Sequence, residues 1–298
     1  MNLHSVRIKI QMMLIFTIQH RITMHQRLSN YFGKQCTAFA ANFVKVRECF
    51  DADSIHDMRV AVKRIRAVLM LLEKLDPAFD AEKAGGELSR LFKLSGKMRD
   101  AQVQQLLVKK YESALNQDFS DFLHYLTKTE KKSIRRFTGY LEAHKVRDYT
   151  GTFQQTADEI PVRGKTLAIG EAIINLVNEL LDKCGDLKND QVHDENLHEI
   201  RRKLKQCNYL LTVFHRDDPA LPLLSQTLKM LETANDLLGE WHDHVVGMEL
   251  LRKYIKNAPK NHAELPGQYL SLQETMTARR HTLHLEVIGL MEKQLGII

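Results

Sequence analysis

Apolar residues recur at intervals of three and four along most of the chain, with polar residues between them. This is the pattern of helices that bury one stripe. The spacing predicts helices at about 27–50, 54–75, 82–95, 98–115, 118–146, 164–184, 194–215, 219–239, 241–257 and 264–294. Breaks are expected at Asp51 and Asp53, Asp76-Pro77, Asp148 to Gly151, Pro161 to Gly164, Gly185 to Asp190, Asp217 to Pro219, and Pro259. Asp53 or Ser54 is expected to cap the second helix, and Asp217 or Asp218 the one that follows. No stretch alternates in the manner of strands, so the predicted class is all-α.

The same pattern occurs twice. "IHDMRVAVKRIRAVLMLLEKLDPAF", from Ile55, aligns with "LHEIRRKLKQCNYLLTVFHRDDPAL", from Leu197, about 142 residues later. His56, Arg59 and Lys63 fall on His198, Arg201 and Lys205, and both segments run into Asp-Pro-Ala. Further on, "LSGKMRDAQV" aligns with "LLGEWHDHVV", which pairs Gly96 with Gly239 and Asp100 with Asp243. An internal duplication is inferred, with a first half at 27–148, a linker at 149–163 and a second half at 164–298. Residues 1–26 are expected to be a dispensable extension.

The repeated helix has an unusual polar face. At about 100° per residue, His56, Arg59, Lys63 and Arg66 share an arc of roughly 80°, adjoining the apolar stripe of Ile55, Met58, Val62, Ile65, Leu69 and Leu72. The second copy repeats the polar stripe with His198, Arg201, Lys205 and Asn208. Cations beside a core are partly desolvated and repel one another, so they call for a compensating charge. Asp100 and Asp243 are candidate charge partners. They are outnumbered, because Arg90, Lys93 and Lys97 form a further cationic row, Arg99 precedes Asp100, and Arg202 follows Arg201. A bound polyanion would balance the remainder.

Composition adds little. A formal charge of +6 and a pI near 9.0 are mildly basic, so the distribution of charge decides, not the total. Cys36, Cys49, Cys184 and Cys207 form no CxxC pair and read as unbridged thiols in a reducing cytoplasm. The apolar run Ile8–Ile18 is too short to span a membrane.

The HxxRVxxKRxR run at His56–Arg66, "GKMRD" at Gly96–Asp100, HxxRxxxK at His198–Lys205 and "LGEWHD" at Leu238–Asp243 together resemble the CHAD domain, the conserved-histidine α-helical domain. The resemblance covers about residues 27–298. It implies two pseudo-twofold-related bundles of long antiparallel helices around a basic central groove, and binding of inorganic polyphosphate, in some bacteria at polyphosphate granules. It assigns His56, Arg59, Lys63, Arg64 and Arg66 to the first-copy ligand positions, and His198, Arg201 and Lys205 to the second. Gln206 and Asn208 replace Arg64 and Arg66, Glu240 replaces Lys97, His242 replaces Arg99, and Asp236 aligns with Lys93. The second half is therefore expected to be the weaker phosphate surface. No ExExK signature of the attached CYTH triphosphatase domain is present.

Other chemistries are less well served. His242 and His244 lie two apart on a helix and cannot chelate together, and neighbouring cations repel a metal near His56 and His198. Neither a metal nor a cofactor is expected. No GxxxxGK[ST], GxGxxG after a strand, or nucleophile–base pair stands out. The chain is expected to be a noncatalytic binder, without a catalytic residue. The alternatives are a phosphohydrolase or phosphotransferase acting on polyphosphate or nucleotides, or a nonspecific nucleic-acid binder; under the leading reading nucleic acid is only a nonspecific competitor. Lys128, Lys131, Lys132, Arg135 and Arg136 mark one helix face that is either a solvated surface or a further anionic contact.

Overall fold

The computed structural model describes residues 23–163, 166–187, 194–214, 222–257 and 267–292, and those residues are helical with short connections. The helices are α1 (Thr23–Cys49), α2 (Ala52–Leu75), α3 (Ala81–Leu115), α4 (Ser120–Ala143), α5 (Val146–Arg163), α6 (Thr166–Asp186), α7 (Asp194–Leu211), α8 (Pro222–Asn257) and α9 (Gly267–Leu290). No described helix is long and apolar enough to cross a membrane.

Short links force antiparallel neighbours, and the side-chain contacts follow. α2 turns back on α1, where Arg64 meets Gln35, and α3 turns back on α2, where Gly85 meets Leu69. α3 and α4 pair through Gln102 and Gln105, which donate to Glu130 at 2.9 and 2.7 Å. α8 and α9 pair through Arg279, whose Nε and Nη2 each donate to Glu240 at 2.9 Å.

The large core draws on all nine described helices, including the N-terminal part of α3, the C-terminal part of α4 and the C-terminal part of α9, with Phe32, Phe39, Ile65, Ile173, Leu204 and Trp241 among its buried members. A smaller core closes the far ends of the α3–α4 and α8–α9 hairpins around Phe119, Phe122, Leu126, Tyr269 and Met276. α2 packs on α7 and α3 on α8, so the helices that carry aligned sequence elements meet each other.

Several boundaries differ from those the sequence predicts. The expected breaks at 96–97 and at 240 do not occur, since α3 and α8 run through as single helices of 35 and 36 residues. A helical glycine costs only about 1 kcal/mol, which packing over that length readily offsets. The cap of α2 is Asp51, whose carboxylate accepts from the backbone N–H of Ser54 at 2.8 Å, in place of Asp53 or Ser54.

The stretch 149–163, expected as a linker, is helix α5. It seats Tyr149 and Phe153 edge-on against Phe39, at 5.3 and 5.5 Å between ring centroids. The extension also ends earlier than residue 26, because Met24 is buried and the His25 ring bonds the Ile160 carbonyl at 3.0 Å. Residues 1–22, the caps at Asp217 and Asp218, the second Asp-Pro-Ala and Pro259 lie outside the described residues.

Candidate anion site between the repeated helices

Arg59 is fixed before any ligand arrives. One Nη donates to the Phe92 carbonyl at 2.6 Å and to Ser95 Oγ at 2.9 Å, and the guanidinium lies 3.9 Å from the centroid of the Phe92 ring. Gly96 flanks it, its missing Cβ 3.7 Å from that same Nη. Two hydrogen bonds and a ring therefore hold the charge on the α2–α3 seam. Burial pulls its pKa down to about 10, against the attraction of Asp100.

Next along α2, Lys63 faces α7. Desolvation, followed by the charges of Lys205, Arg201, Arg59 and Arg64, drives its pKa down to about 6. Opposite it, Lys205 is lowered to about 8, first by burial and then by Arg201, with Asp243 pulling the other way. Burial also lowers Arg201, which Asp243, Tyr209 and Asp100 partly offset. The lysines and arginines of the two copies thus lie within electrostatic reach of each other, in one cluster.

The acids do not balance it. Asp100 and Asp243 are half-buried, and desolvation raises both pKa values in spite of the arginines beside them. Among the described residues, no carboxylate makes an ion pair within 4.0 Å with Arg59, Lys63, Arg99, Arg201 or Lys205. Five basic side chains face Asp100 and Asp243, with Asp236 also reaching Lys205, and no ion pair joins them.

On the second-half side, the His198 ring sits 4.8 Å from Trp241 and 4.9 Å, edge-on, from His242. Burial, then Arg201, His198 and Lys205, lowers His242 to about 3, so it is a neutral imidazole across the physiological range. Its Nδ1, the Nε of Arg201 and the indole N–H of Trp241 are buried without a hydrogen-bond partner. Unsatisfied buried polar atoms are costly, and those of Arg201 and His242 border the cluster. His56 sits at the exposed rim, where partial desolvation and the charges of Arg99 and Lys63 lower its pKa.

The remaining residues named from sequence divide. Arg99 donates to the Ala52 carbonyl at 3.3 Å, and its charge reaches His56, Arg59 and Asp100. Arg64, which the resemblance assigns as a ligand, lies beside the stripe and donates to Gln35 Oε1 at 3.3 Å, with its guanidinium 5.9 Å from the Tyr209 ring. Arg66 is exposed on α2, and Lys93 and Lys97 are exposed on α3. Arg90 leans over the Tyr140 ring of α4 at 5.6 Å, and Arg202 is exposed and paired with Glu199. The helical stripe therefore overstates the cluster. A 100° wheel cannot tell the flank facing a partner helix from the flank facing water.

Lys63 of the first copy and Lys205 of the second lie within electrostatic reach of each other, so both copies contribute to one cluster. Sequence reading missed Phe92 and Ser95 as the seat of Arg59, and His242 as a lining residue. The signal for all three was their place in or beside the repeated "LSGKMRD" and "LLGEWHD" elements.

On the outer face of α4, Lys128, Lys131, Lys132, Arg135 and Arg136 are all exposed, while Glu130 is turned inward to the two glutamines of α3. His244 points elsewhere, to Tyr111 at 2.8 Å and the Glu240 carbonyl at 2.7 Å. No three His, Cys, Asp or Glu among the described residues are grouped to hold a metal. The four cysteines are unbridged.

Comparison with known proteins bears on the family and the fold. The family model of the CHAD domain matches residues 30–252. The crystal structure of the CHAD domain from the plant Ricinus communis is similar, with a TM-score of 0.63 and 19% identity over 92% of this chain and 91% of that one. At that identity the likeness concerns the fold alone. No curated protein matches the chain.

Proposed function

The chain belongs to the CHAD-domain family, and on that premise we propose that it is a noncatalytic binder of inorganic polyphosphate. The observation that carries the reading is the cluster of Arg59, Lys63, Arg99, Arg201 and Lys205, drawn from both halves and opposed by Asp100 and Asp243, with Asp236 also reaching Lys205, none of them in an ion pair with it. A string of phosphates supplies closely spaced negative oxygens that could satisfy these groups together. Arginine offers a planar fork of donors and lysine a movable point charge.

The two carboxylates fit a charge-partner role better than a catalytic one. Phosphoryl transfer would ask for carboxylates grouped to hold Mg²⁺, and among the described residues no three His, Cys, Asp or Glu are so grouped. Retention in the cytoplasm, and at polyphosphate granules where a cell makes them, follows from the proposed ligand.

The test is a titration with phosphate polymers of several lengths at fixed salt, with RNA as competitor and a Mg²⁺-dependent phosphate-release assay alongside. Saturable binding of polyphosphate that RNA does not displace at comparable phosphate concentration, without release of phosphate, supports the reading. Displacement by RNA, or turnover, overturns it.

A further inference from the structure

The outer face of α4 carries Lys128, Lys131, Lys132, Arg135 and Arg136, all exposed, and the cluster between the repeated helices makes no use of them. We propose that this face is a second anchor for long polyphosphate, reached from the cluster over the outside of α3 by way of Lys93 and Lys97. The inference rests on the polyphosphate reading and deepens it, because it makes affinity depend on the length of the polymer.

Charge on α4 is sorted by face. The helix is held down by Phe122, Leu126, Phe137 and Leu141, which are buried, and not by its basic side. Glu130, the one acid of the helix between Asp121 and Glu142, is turned inward and accepts from Gln102 at 2.9 Å and Gln105 at 2.7 Å. Among the described residues, no carboxylate makes an ion pair within 4.0 Å with any of the five cations, or with Lys93 or Lys97. Lys128 and Lys132, Lys131 and Arg135, and Lys132 and Arg136 each stand one turn apart, where like charges repel.

The register of α3 and α4 joins this face to the row on α3. Thr127 donates to Gln105 at 3.2 Å at one level of the antiparallel pair, and Tyr140 donates to Glu87 at 3.0 Å at the other. Between those levels, Lys97 stands beside the turn that holds Lys132, Arg135 and Arg136. At about 100° per residue, Lys93 lies about 40° from Lys97 around α3. Gly96 and Phe92, which meet Arg59, fall about 100° and 140° to the same side. Glu87 and Gln105, which meet α4, fall about 80° to the other. Lys93 and Lys97 are exposed, so α3 presents a basic strip to solvent between the seat of Arg59 and the face of α4.

A flexible polyanion fits that bent path better than other anionic partners do. No aromatic residue of α4 is exposed to stack on a base, and none of the exposed large apolar side chains lies on α4 to enter a bilayer.

The experiment titrates the full chain with tripolyphosphate and with long-chain polyphosphate at fixed salt. Neighbouring helix axes lie about 8–10 Å apart, so α2 and α4, on opposite flanks of α3, are farther apart than three phosphates reach. Replacing Lys131, Lys132, Arg135 and Arg136 together by Gln should weaken long-chain binding by about tenfold and tripolyphosphate binding by less than about twofold. Lys97→Gln alone should weaken long-chain binding by about threefold. For the long chain, the slope of log K against log salt should become shallower by about 0.7 for each contact removed. Helicity should be kept, because the substituted side chains are exposed, and Lys131→Arg with Lys132→Arg should bind as the unchanged chain does.

An unchanged long-chain affinity in the fourfold variant, or equal losses for the two ligands, would overturn the proposal. So would a variant that loses affinity for single-stranded RNA but not for long polyphosphate. Lys63→Ala separates this inference from the reading beneath it. If Lys63→Ala weakens both ligands while the α4 variant weakens neither, the cluster stands and the second anchor is discarded. If Lys63→Ala weakens neither ligand, the cluster is discarded, and the track as its continuation falls with it.

Discussion

Gln104 and Gly247 meet so closely that a Cβ on the glycine would stand 2.4 Å from the glutamine Oε1. The contact lies where α3 of the first half crosses α8 of the second, and Gln104 is held there by donating Nε2 to the Asp243 carbonyl at 2.7 Å. Gly247→Ala should therefore break that bond or shift Met276, whose Cε is equally near. Denaturant unfolding should show a loss of about 1–3 kcal/mol. Gly33→Ala, on an exposed part of α1 with nothing within 4 Å, should instead gain up to about 1 kcal/mol.

Stability should depend on pH through the two lysines. Lys63 and Lys205 have folded pKa values of about 6 and about 8, below the ordinary lysine value, so the unfolded chain binds more protons than the folded one above pH 6. Stability of the ligand-free protein should then rise with pH from about 6, and more steeply above about 8, toward the ordinary lysine value. Lys63→Met should stabilise it at pH 7 by an amount on the order of 1 kcal/mol, given the partial exposure of the site. Melting temperature across this range is the measurement. With long polyphosphate bound, the slope should flatten, because the ligand favours the charged amines.

Affinity should separate the clustered residues from the outlying ones. Under the proposed reading, Lys63→Ala, Arg201→Ala and Lys205→Ala each weaken polyphosphate binding by about tenfold. Arg66→Ala and Arg202→Ala, exposed and outside the cluster, change it by less than about twofold. Equal losses at all five positions in a titration would mean that surface charge, not the cluster, binds the polymer. The dependence of log K on log salt should have a slope near −0.7 per phosphate contact, if the polymer behaves like a single nucleic-acid strand.

Arg59→Lys tests seating against charge. A lysine keeps one positive charge but loses the fork that reaches Phe92 and Ser95 and the plane that lies over the ring. A loss of about 1–2 kcal/mol in unfolding free energy is expected, with weaker polyphosphate binding even though net charge is unchanged.

The all-α class and the paired helices could be read from residue spacing, because a helix that buries one face repeats its apolar positions whatever its partner. The cluster was legible in outline through the matching His56, Arg59, Lys63 and His198, Arg201, Lys205. Which cations turn inward was not. The family resemblance assigns Arg64 and Arg66 alike to ligand positions, yet one turns to Gln35 and Tyr209 and the other to solvent. Helix α5 escaped notice because Thr150, Gly151 and Thr152 look like a break. Its helicity rests on Tyr149 and Phe153 finding Phe39 on α1, a partner more than a hundred residues away in sequence.

Joining like charges across the meeting of α2 and α7 has a mechanical corollary. Without an anion, that meeting sets Arg59 against Arg201 and Lys205, and under an applied load it should be among the first places to part. A phosphate strand lying across it would act as a rivet, carrying tension from one half to the other. Single-molecule pulling should then record a higher opening force there once polyphosphate is added, with the rest of the trace unmoved.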